Sequence, residues 1–513
     1  MLAVHGASTT TVPPRALDLP TPIGELVAGS LEQEPISGRC TVAFDLRAVL
    51  SEHQGEQFAI HRQHLNPQLP RVLKTLGFDR FYIRGEGCYL IDEQGRRTLD
   101  LLSGFGVFAL GRSHPAVKQA LHDALDLDLP SMVQIDCALP SGLLAEALIE
   151  RSHDAITRAY FCNSGAEAVE SAIKFARAAT GKRRLLYASH AYHGLTMGAL
   201  SLNGSEGFRQ GFGPFVPDCT EVPFGDLAAA VAQIHRGDVA AMIIEPIQGK
   251  GVYEAPPAYF QALHRELRQA GAILIADEVQ TGIGRTGTFW CHEQLGITPE
   301  IITASKALSG GYVPVGAMLT TDAIFTSVYS SMERALVHST TFKQNPLAMV
   351  AGLATLDTID TEGLIAHSAA MEGVWRAHLQ PLVDRYELFE GITGKGQMIG
   401  LSFSEPESRA LRAQWRALEA IRPGIFSQTL VLPLFHRHSI LTQVAADEVN
   451  IIKLLPPLIA GEAEIHHFAT ALDDVLADAH RPTGLVLEMA TTMAKGALRR
   501  PRTSKGAHSE VGV

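Results

Sequence analysis

Ala272-Ile273-Leu274-Ile275-Ala276-Asp277-Glu278-Val279-Gln280-Thr281-Gly282 is the stretch on which the reading of this chain turns. It opens as a short apolar run of the type buried within a parallel sheet, covered on both faces. The run then ends on a carboxylate, which is costly after a buried strand unless a positive partner meets it. Downstream, Ile301-Ile302-Thr303-Ala304-Ser305-Lys306 is a second apolar, β-branched run, and it ends on a lysine that opens onto Ser309-Gly310-Gly311. Upstream, Ala155 to Cys162, Arg184 to Ala188 and Ala240 to Ile244 read as further strands, with a helix from Gly165 to Ala179 after the first. This alternation predicts an α/β fold, an open and mostly parallel sheet with helices on both faces.

The rest of the chain frames that sheet. At 513 residues it is too long for one simple core. Residues 1–70 read as an N-terminal extension, flexible around Ser8-Thr9-Thr10-Thr11-Val12-Pro13-Pro14 and partly helical between Gly38 and Ile60. In residues 71–120, Gly85-Glu86-Gly87 and Glu93-Gln94-Gly95 flank a strand at Cys88–Asp92, which predicts a hairpin. That segment is the first part of a smaller α+β domain. Residues 121–345 form the large domain. Residues 346–485, helix-rich with some strand, complete the small one. Residues 486–513, with Arg499-Arg500-Pro501-Arg502, read as a disordered tail.

Composition removes several function classes. A hydrophobic share of 46% argues against global disorder, and a net charge of −11 gives no general attraction to nucleic acid or an anionic membrane. The six cysteines (Cys40, Cys88, Cys137, Cys162, Cys219, Cys291) include no Cys-x-x-Cys pair. That spacing speaks against a zinc cluster or a disulfide framework, so no metal is expected, and it fits a reducing compartment. The sequence shows neither a secretory signal nor an apolar stretch long enough to span a bilayer. A cytoplasmic protein with a small-molecule ligand is expected.

Four pieces share one requirement, to hold a phosphorylated, ring-bearing aldehyde. Asn163-Ser164-Gly165-Ala166-Glu167 joins a strand to a helix, with Ser164 placed to cap and Glu167 three residues on as a capping box. Small residues at a helix start let backbone N–H groups approach a phosphate, and the helix dipole favours the anion. Tyr192, in Ser189-His190-Ala191-Tyr192-His193-Gly194, lies just past a strand end, where an aromatic ring can stack on a planar one. Asp277 would meet a protonated ring nitrogen and so make the ring an electron sink, while Val279 and Gln280 reach the ring face and edge. Lys306 would form a Schiff base with the aldehyde. Burial and neighbouring positive charge would lower its pKa and leave a neutral amine able to shuttle a proton. Each piece also has a plain structural use: an ordinary capped helix, a packed tyrosine, a turn-capping aspartate, a loop lysine. The ordered set carries the reading.

That set resembles the class III, ω-type pyridoxal-phosphate aminotransferases, the family of the ornithine and acetylornithine enzymes, over residues of about 70 to 480. The resemblance rests on Ile275 to Gly287 followed by Ser305-Lys306, on Glu245-Pro246-Ile247-Gln248-Gly249, and on His338-Ser339-Thr340-Thr341-Phe342 followed by Asn345-Pro346-Leu347-Ala348. It implies the type I fold and pyridoxal 5'-phosphate as cofactor. Lys306 would carry the cofactor and the proton transfer, and Asp277 would pair with the ring nitrogen. Gln280 would bond the ring hydroxyl, and Val279 with Tyr192 would sandwich the ring. Ser164, Gly165 and Ala166 would bind the phosphate, and Glu245 would support the site from behind. Thr341 would reach the phosphate of a neighbouring subunit, which implies a homodimer with active sites at its interface.

Three departures bear on substrate. Lys250 stands where many members carry a glutamate. Lys453, in Lys453-Leu454-Leu455-Pro456-Pro457-Leu458, stands where many carry an arginine that grips a substrate carboxylate. Lysine gives a point charge without the arginine's two-pronged fork. Lys343 and Gln344 replace two glycines after Thr-Phe. Phe105, in Gly104-Phe105-Gly106-Val107-Phe108, adds apolar lining near the expected entrance. Together these features resemble aminotransferases of secondary-metabolite pathways that aminate aldehydes, such as the prodigiosin type. An amine or aldehyde remote from any α-carboxylate is therefore expected as substrate, beside the alternative that Lys453 does the arginine's work less tightly. An aminomutase or decarboxylase of the same fold, or a non-catalytic regulator, would share the cofactor-binding residues. A dinucleotide dehydrogenase lacks support, because no Gly-x-Gly-x-x-Gly follows the first strand.

Overall fold

The computed structural model describes residues 44–446 and 448–481. The expected flexible start, Cys40 and the expected tail lie outside the described residues. The chain divides into two units, residues 1–60 and 61–513. In the first, the expected partial helix appears as Leu46–Glu52. Asp45 starts it, accepting from the N–H groups of Arg47 and Ala48 at 2.9 and 3.0 Å.

Among the described residues, the second unit holds three sheets. The hairpin is present as β1 (Tyr82–Glu86) and β2 (Tyr89–Asp92), extended by β3 (Arg97–Asp100). The central sheet contains β4 (Arg158–Cys162), β5 (Arg184–Ala188), β6 (Cys219–Val222), β7 (Val239–Ile244), β8 (Ile273–Asp277), β9 (Ile301–Ala304) and β10 (Gly316–Thr320). Its order is β4-β10-β9-β8-β7-β5-β6. Every residue of β7, β8, β9 and β10 is buried, as their unbroken apolar runs require.

Pairings from β6 through β5, β7 and β8 to β9 are parallel, but β10 runs antiparallel to both β9 and β4. The open, mostly parallel sheet read from the sequence is present, with the antiparallel pairings confined to β10 at one end. The connection from β9 to β10 is short and carries only a 3-10 turn, Lys306–Ser309, whereas a parallel return needs a longer crossover. The strand read over Ala155–Cys162 begins only at Arg158, because the residues before it fold into a turn closed by Ile156 N–H on the His153 carbonyl at 2.9 Å. The helix that follows spans Gly165–Thr180 and buries Ala168, Val169, Ala172, Ile173, Phe175 and Ala176 along one face.

The third sheet, ordered β11-β12-β15-β14, comprises β11 (Phe389–Lys395), β12 (Met398–Phe403), β14 (Gln443–Val444) and β15 (Ile451–Leu454). Helices Leu364–Arg385, Ile425–His436 and Glu462–Ala479 pack with it around Trp375, Phe426 and Phe468. Trp375 is fully buried, and its Nε1 donates to Gln397 Oε1 at 2.8 Å, so the indole's polar atom is satisfied. β13 (Ile440–Leu441) pairs in parallel with β3, which ties the early hairpin to this late part of the chain.

Candidate active site

Parallel register brings the chemistry to one edge. Ile244 lies beside Ala276, and Asp277 beside Thr303. Glu245, Asp277 and Lys306 therefore leave the carboxyl ends of three adjacent strands, where ligands bind in open α/β sheets. Gly316 lies beside Cys162, so the start of the Gly165–Thr180 helix opens on the same edge.

Lys306 has φ of 39°, a left-handed conformation that a lysine adopts only when its surroundings impose it. Ser305 Oγ donates to the Val315 carbonyl at 2.7 Å, and Gly310 and Gly311 turn the chain back at φ of 60° and 90°. A Cβ at Gly311 would sit 2.5 Å from the Phe108 ring, so only glycine fits there. The Lys306 side chain keeps a little accessible surface, and among the described residues its Nζ has no hydrogen-bonding partner. Desolvation lowers its pKa; Asp277 and Glu245 pull the other way, and the Lys250 charge adds to the lowering.

Asp277 is buried and fully engaged. Its Oδ2 accepts from His193 Nδ1 at 2.7 Å, and its Oδ1 accepts from Thr303 Oγ1 at 3.0 Å and Val279 N–H at 3.1 Å. His193 is wholly buried. Burial opposes its charge, but the bond to Asp277 and the charges of Asp277 and Glu245 raise its pKa above the ordinary value. Its Nε2 has no hydrogen-bond partner among the described residues. His193 has no role legible in the sequence, because its carboxylate partner comes from a distant strand. The next residue, Glu278, faces away. Its Oε1 accepts from His292 N–H and Nδ1 at 2.7 and 3.0 Å, and its Oε2 accepts from Thr281 Oγ1.

Glu245 shapes the opposite wall. Its Oε1 accepts from Tyr192 N–H at 2.9 Å and its Oε2 from Gly249 N–H at 2.6 Å, so one buried carboxylate fixes two loops. Burial raises its pKa. Tyr192 is half-buried. Lys250 Nζ lies 5.4 Å from its ring centre and 4.8 Å from that of Phe208, within cation–π range of both. Lys453, on β15, reaches across to the Gly249 carbonyl and to Gln280 Oε1. Phe105 exposes its ring, and its carbonyl accepts from Gln280 Nε2 at 3.0 Å.

The helix end is built as a cap. Ser164 Oγ accepts from Glu167 N–H at 3.2 Å, as expected of the box. The return bond differs, since Glu167 Oε2 accepts from Asn163 N–H at 2.6 Å instead of from Ser164 N–H. The N–H groups of Gly165 and Ala166 lie in the first turn and have no intrahelical acceptor. Asn163 Nδ2 donates to Thr340 Oγ1 at 3.3 Å, while Thr341 is exposed and its carbonyl accepts from Gln134 Nε2 at 3.1 Å.

This geometry has counterparts. The family Aminotransferase class-III matches residues 74–476. The chain belongs to the class-III aminotransferases. Over 478 residues it is 33% identical to Aminotransferase PigE of Serratia sp. (strain ATCC 39006), covering 86% of this chain but only 56% of PigE, so it spans about half the length of that relative. It is 37% identical to the acetylornithine aminotransferase of Mycolicibacterium smegmatis, over 77% of this chain and 93% of that one. A solved amine transaminase from an uncultivated Pseudomonas species, in a PLP-bound form, is 28% identical with a TM-score of 0.68, over 78% of this chain and 94% of that one.

Class-III aminotransferases are pyridoxal-phosphate-dependent transaminases with the type I fold, and this chain's site fits that cofactor. A desolvated amine without a hydrogen-bonding partner suits an aldehyde. A buried carboxylate backed by a histidine suits a protonated ring nitrogen. A helix start with free N–H groups suits a phosphate. Gly165 packs flush on Val279, so that a Cβ there would meet Val279 Cγ1 at 2.8 Å, and this keeps the helix start and the Val279 side chain in contact. Lys250, a candidate substrate residue, lies over the Tyr192 and Phe208 rings.

Proposed function

We propose that this class-III aminotransferase moves an amino group between an amine or amino acid donor and an aldehyde or keto acceptor, with Lys306 as the residue that carries the cofactor. One observation carries the reading: Lys306, Asp277 and the start of the Gly165–Thr180 helix converge on one sheet edge, each suited to a different part of the same molecule. When bound, pyridoxal phosphate supplies an electron sink. Asp277, oriented by His193 and Thr303, keeps a proton on the ring nitrogen. Lys306, with its lowered pKa, would take the proton from the substrate carbon that bears the amino group and return it to the former aldehyde carbon of the cofactor. Ser164, Gly165 and Ala166 hold the phosphate, Val279 and Tyr192 flank the ring, Gln280 meets the ring hydroxyl, and Glu245 steadies Tyr192.

The active unit is a homodimer in which Thr341 serves the neighbouring site. Support comes from a band of exposed apolar side chains, Val133, Ile135, Leu139, Met332, Leu336 and Phe342, on two segments that Gln134 and Thr341 join. The substrate is an amine or aldehyde remote from an α-carboxylate. Support comes from Lys453 in place of the carboxylate-gripping arginine. Residues 71–120 and 346–485 form the small domain around 121–345, a division that the β3–β13 pairing favours. A cytoplasmic setting agrees with the absence, among the described residues, of a helix long and apolar enough to cross a membrane.

Visible absorbance tests the assignment. The purified protein, given pyridoxal phosphate, gains a band that Lys306→Ala lacks. A wild type that gains no such band overturns it.

A further inference from the structure

Lys453 is 4% exposed, and its ammonium faces two acceptors of its own chain, the Gly249 carbonyl and Gln280 Oε1 at 3.2 Å. The Phe105 carbonyl can only accept, so it takes the Gln280 Nε2 donor, and this leaves Oε1 to accept from Lys453, whose amine has N–H donors whether charged or neutral. The Gln280 amide therefore has one possible orientation, with Oε1 toward Lys453 and Nε2 toward the Phe105 carbonyl at 3.0 Å. The same loop is tied twice more, for Gly249 N–H donates to Glu245 and a Cβ at Gly249 would lie 2.8 Å from Gln280 Oε1. Lys453 reaches this knot from β15, opposite Gly400 of β12, where Val252 of the same loop packs so closely that a Cβ would lie 2.8 Å away.

We propose that Lys453 is a positioning residue that clamps Gln280 and the Gly249 loop, so that Gln280 presents its amide N–H₂ to the cofactor ring, and that it does not grip a substrate carboxylate. This rests on the cofactor reading above. Desolvation, with the charges of Lys306 and Lys250 and against that of Glu245, lowers the Lys453 pKa to about 7. A carboxylate grip needs the charge and would fade above neutrality. A clamp needs only two N–H donors, which a neutral amine still has.

The test uses the holoenzyme as wild type, Lys453→Met, Lys453→Arg and Gln280→Ala, with and without Lys453→Met. Visible spectra are recorded at about pH 6 and about pH 8.5, on either side of the Lys453 transition. KM and kcat are measured for a primary amine without a carboxylate and for an α-amino acid. The clamp predicts that Lys453→Met shifts the cofactor band and lowers kcat about tenfold for both donors at both pH values, leaving the ratio of their KM values within about twofold. It also predicts that Lys453→Arg restores most of the loss and that Lys453→Met adds little in the Gln280→Ala background. Either an unmoved band with a KM raised only for the amino acid, and only at low pH, or a Lys453→Met effect that persists in full without Gln280, overturns the proposal. Should Lys453→Met not fold, the Gln280→Ala and Lys453→Arg spectra decide, because a clamp requires the first to shift and the second not to. A wild type without a cofactor band instead refutes the cofactor reading and is thereby distinguished.

Discussion

His193 and Asp277 form a buried pair at 2.7 Å in which the histidine's second nitrogen has no hydrogen-bond partner among the described residues. Removing the histidine leaves Asp277 with Thr303 and the Val279 N–H alone, in a site where a charge-assisted bond is worth about 1.5–3 kcal/mol. His193→Phe is therefore expected to weaken cofactor retention by about 10- to 100-fold, read by spectral titration with pyridoxal phosphate. An unchanged titration would show that Asp277 needs no such partner. Asp277 and Lys306 were legible in the sequence because each ends an apolar run with a charge, which burial makes expensive. His193 was not, because nothing within its own segment shows that a carboxylate from a distant strand closes on it. Lys453 stands out in the sequence as a lysine before Leu454-Leu455-Pro456-Pro457, but its two acceptors come from loops after β7 and β8, which spacing does not reveal.

Elements carry the next level of the design. The Gly165–Thr180 helix starts where Gly165 touches Val279, so its backbone approaches the proposed phosphate site while its first residue supports the proposed ring wall. In Gly165→Ala the new Cβ meets both Val279 methyl groups, at 2.8 and 3.0 Å. Overpacking of this kind costs about 1–3 kcal/mol and displaces Val279. Cofactor affinity is expected to fall about tenfold or more while the far-ultraviolet circular dichroism spectrum stays the same. Full affinity in the variant would remove the contact from the site. The strands and this helix were readable from apolar runs and a capping serine. The direction of β10 was not, since strand direction depends on how the short Lys306–Val315 connection turns in space.

At the scale of the whole molecule, the exposed apolar band around Ile135 and Met332, 95% and 90% exposed, is the surface expected to be covered by a second copy. Asp substitutions at both positions are expected to give a monomer by size-exclusion chromatography with light scattering, with activity reduced together with dimer content. An active monomer would refute the shared site, and a dimer that survives both changes would place the interface elsewhere. The small sheet shows a similar division between what is local and what is not. Its strands are short, and β13 finds β3 across more than half the chain. The sequence by itself determined the α/β class, the strand ends that bear Asp277 and Lys306, and the helix start at Ser164, because burial preference, periodicity and capping act over a few neighbouring residues. Only the tertiary structure decided that β10 runs backwards, that His193 closes on Asp277, and that Lys453 faces Gln280 and Gly249. The last two contacts join residues far apart in the chain, and the direction of β10 depends on how a short connection turns in space, so in each case packing selects the partner.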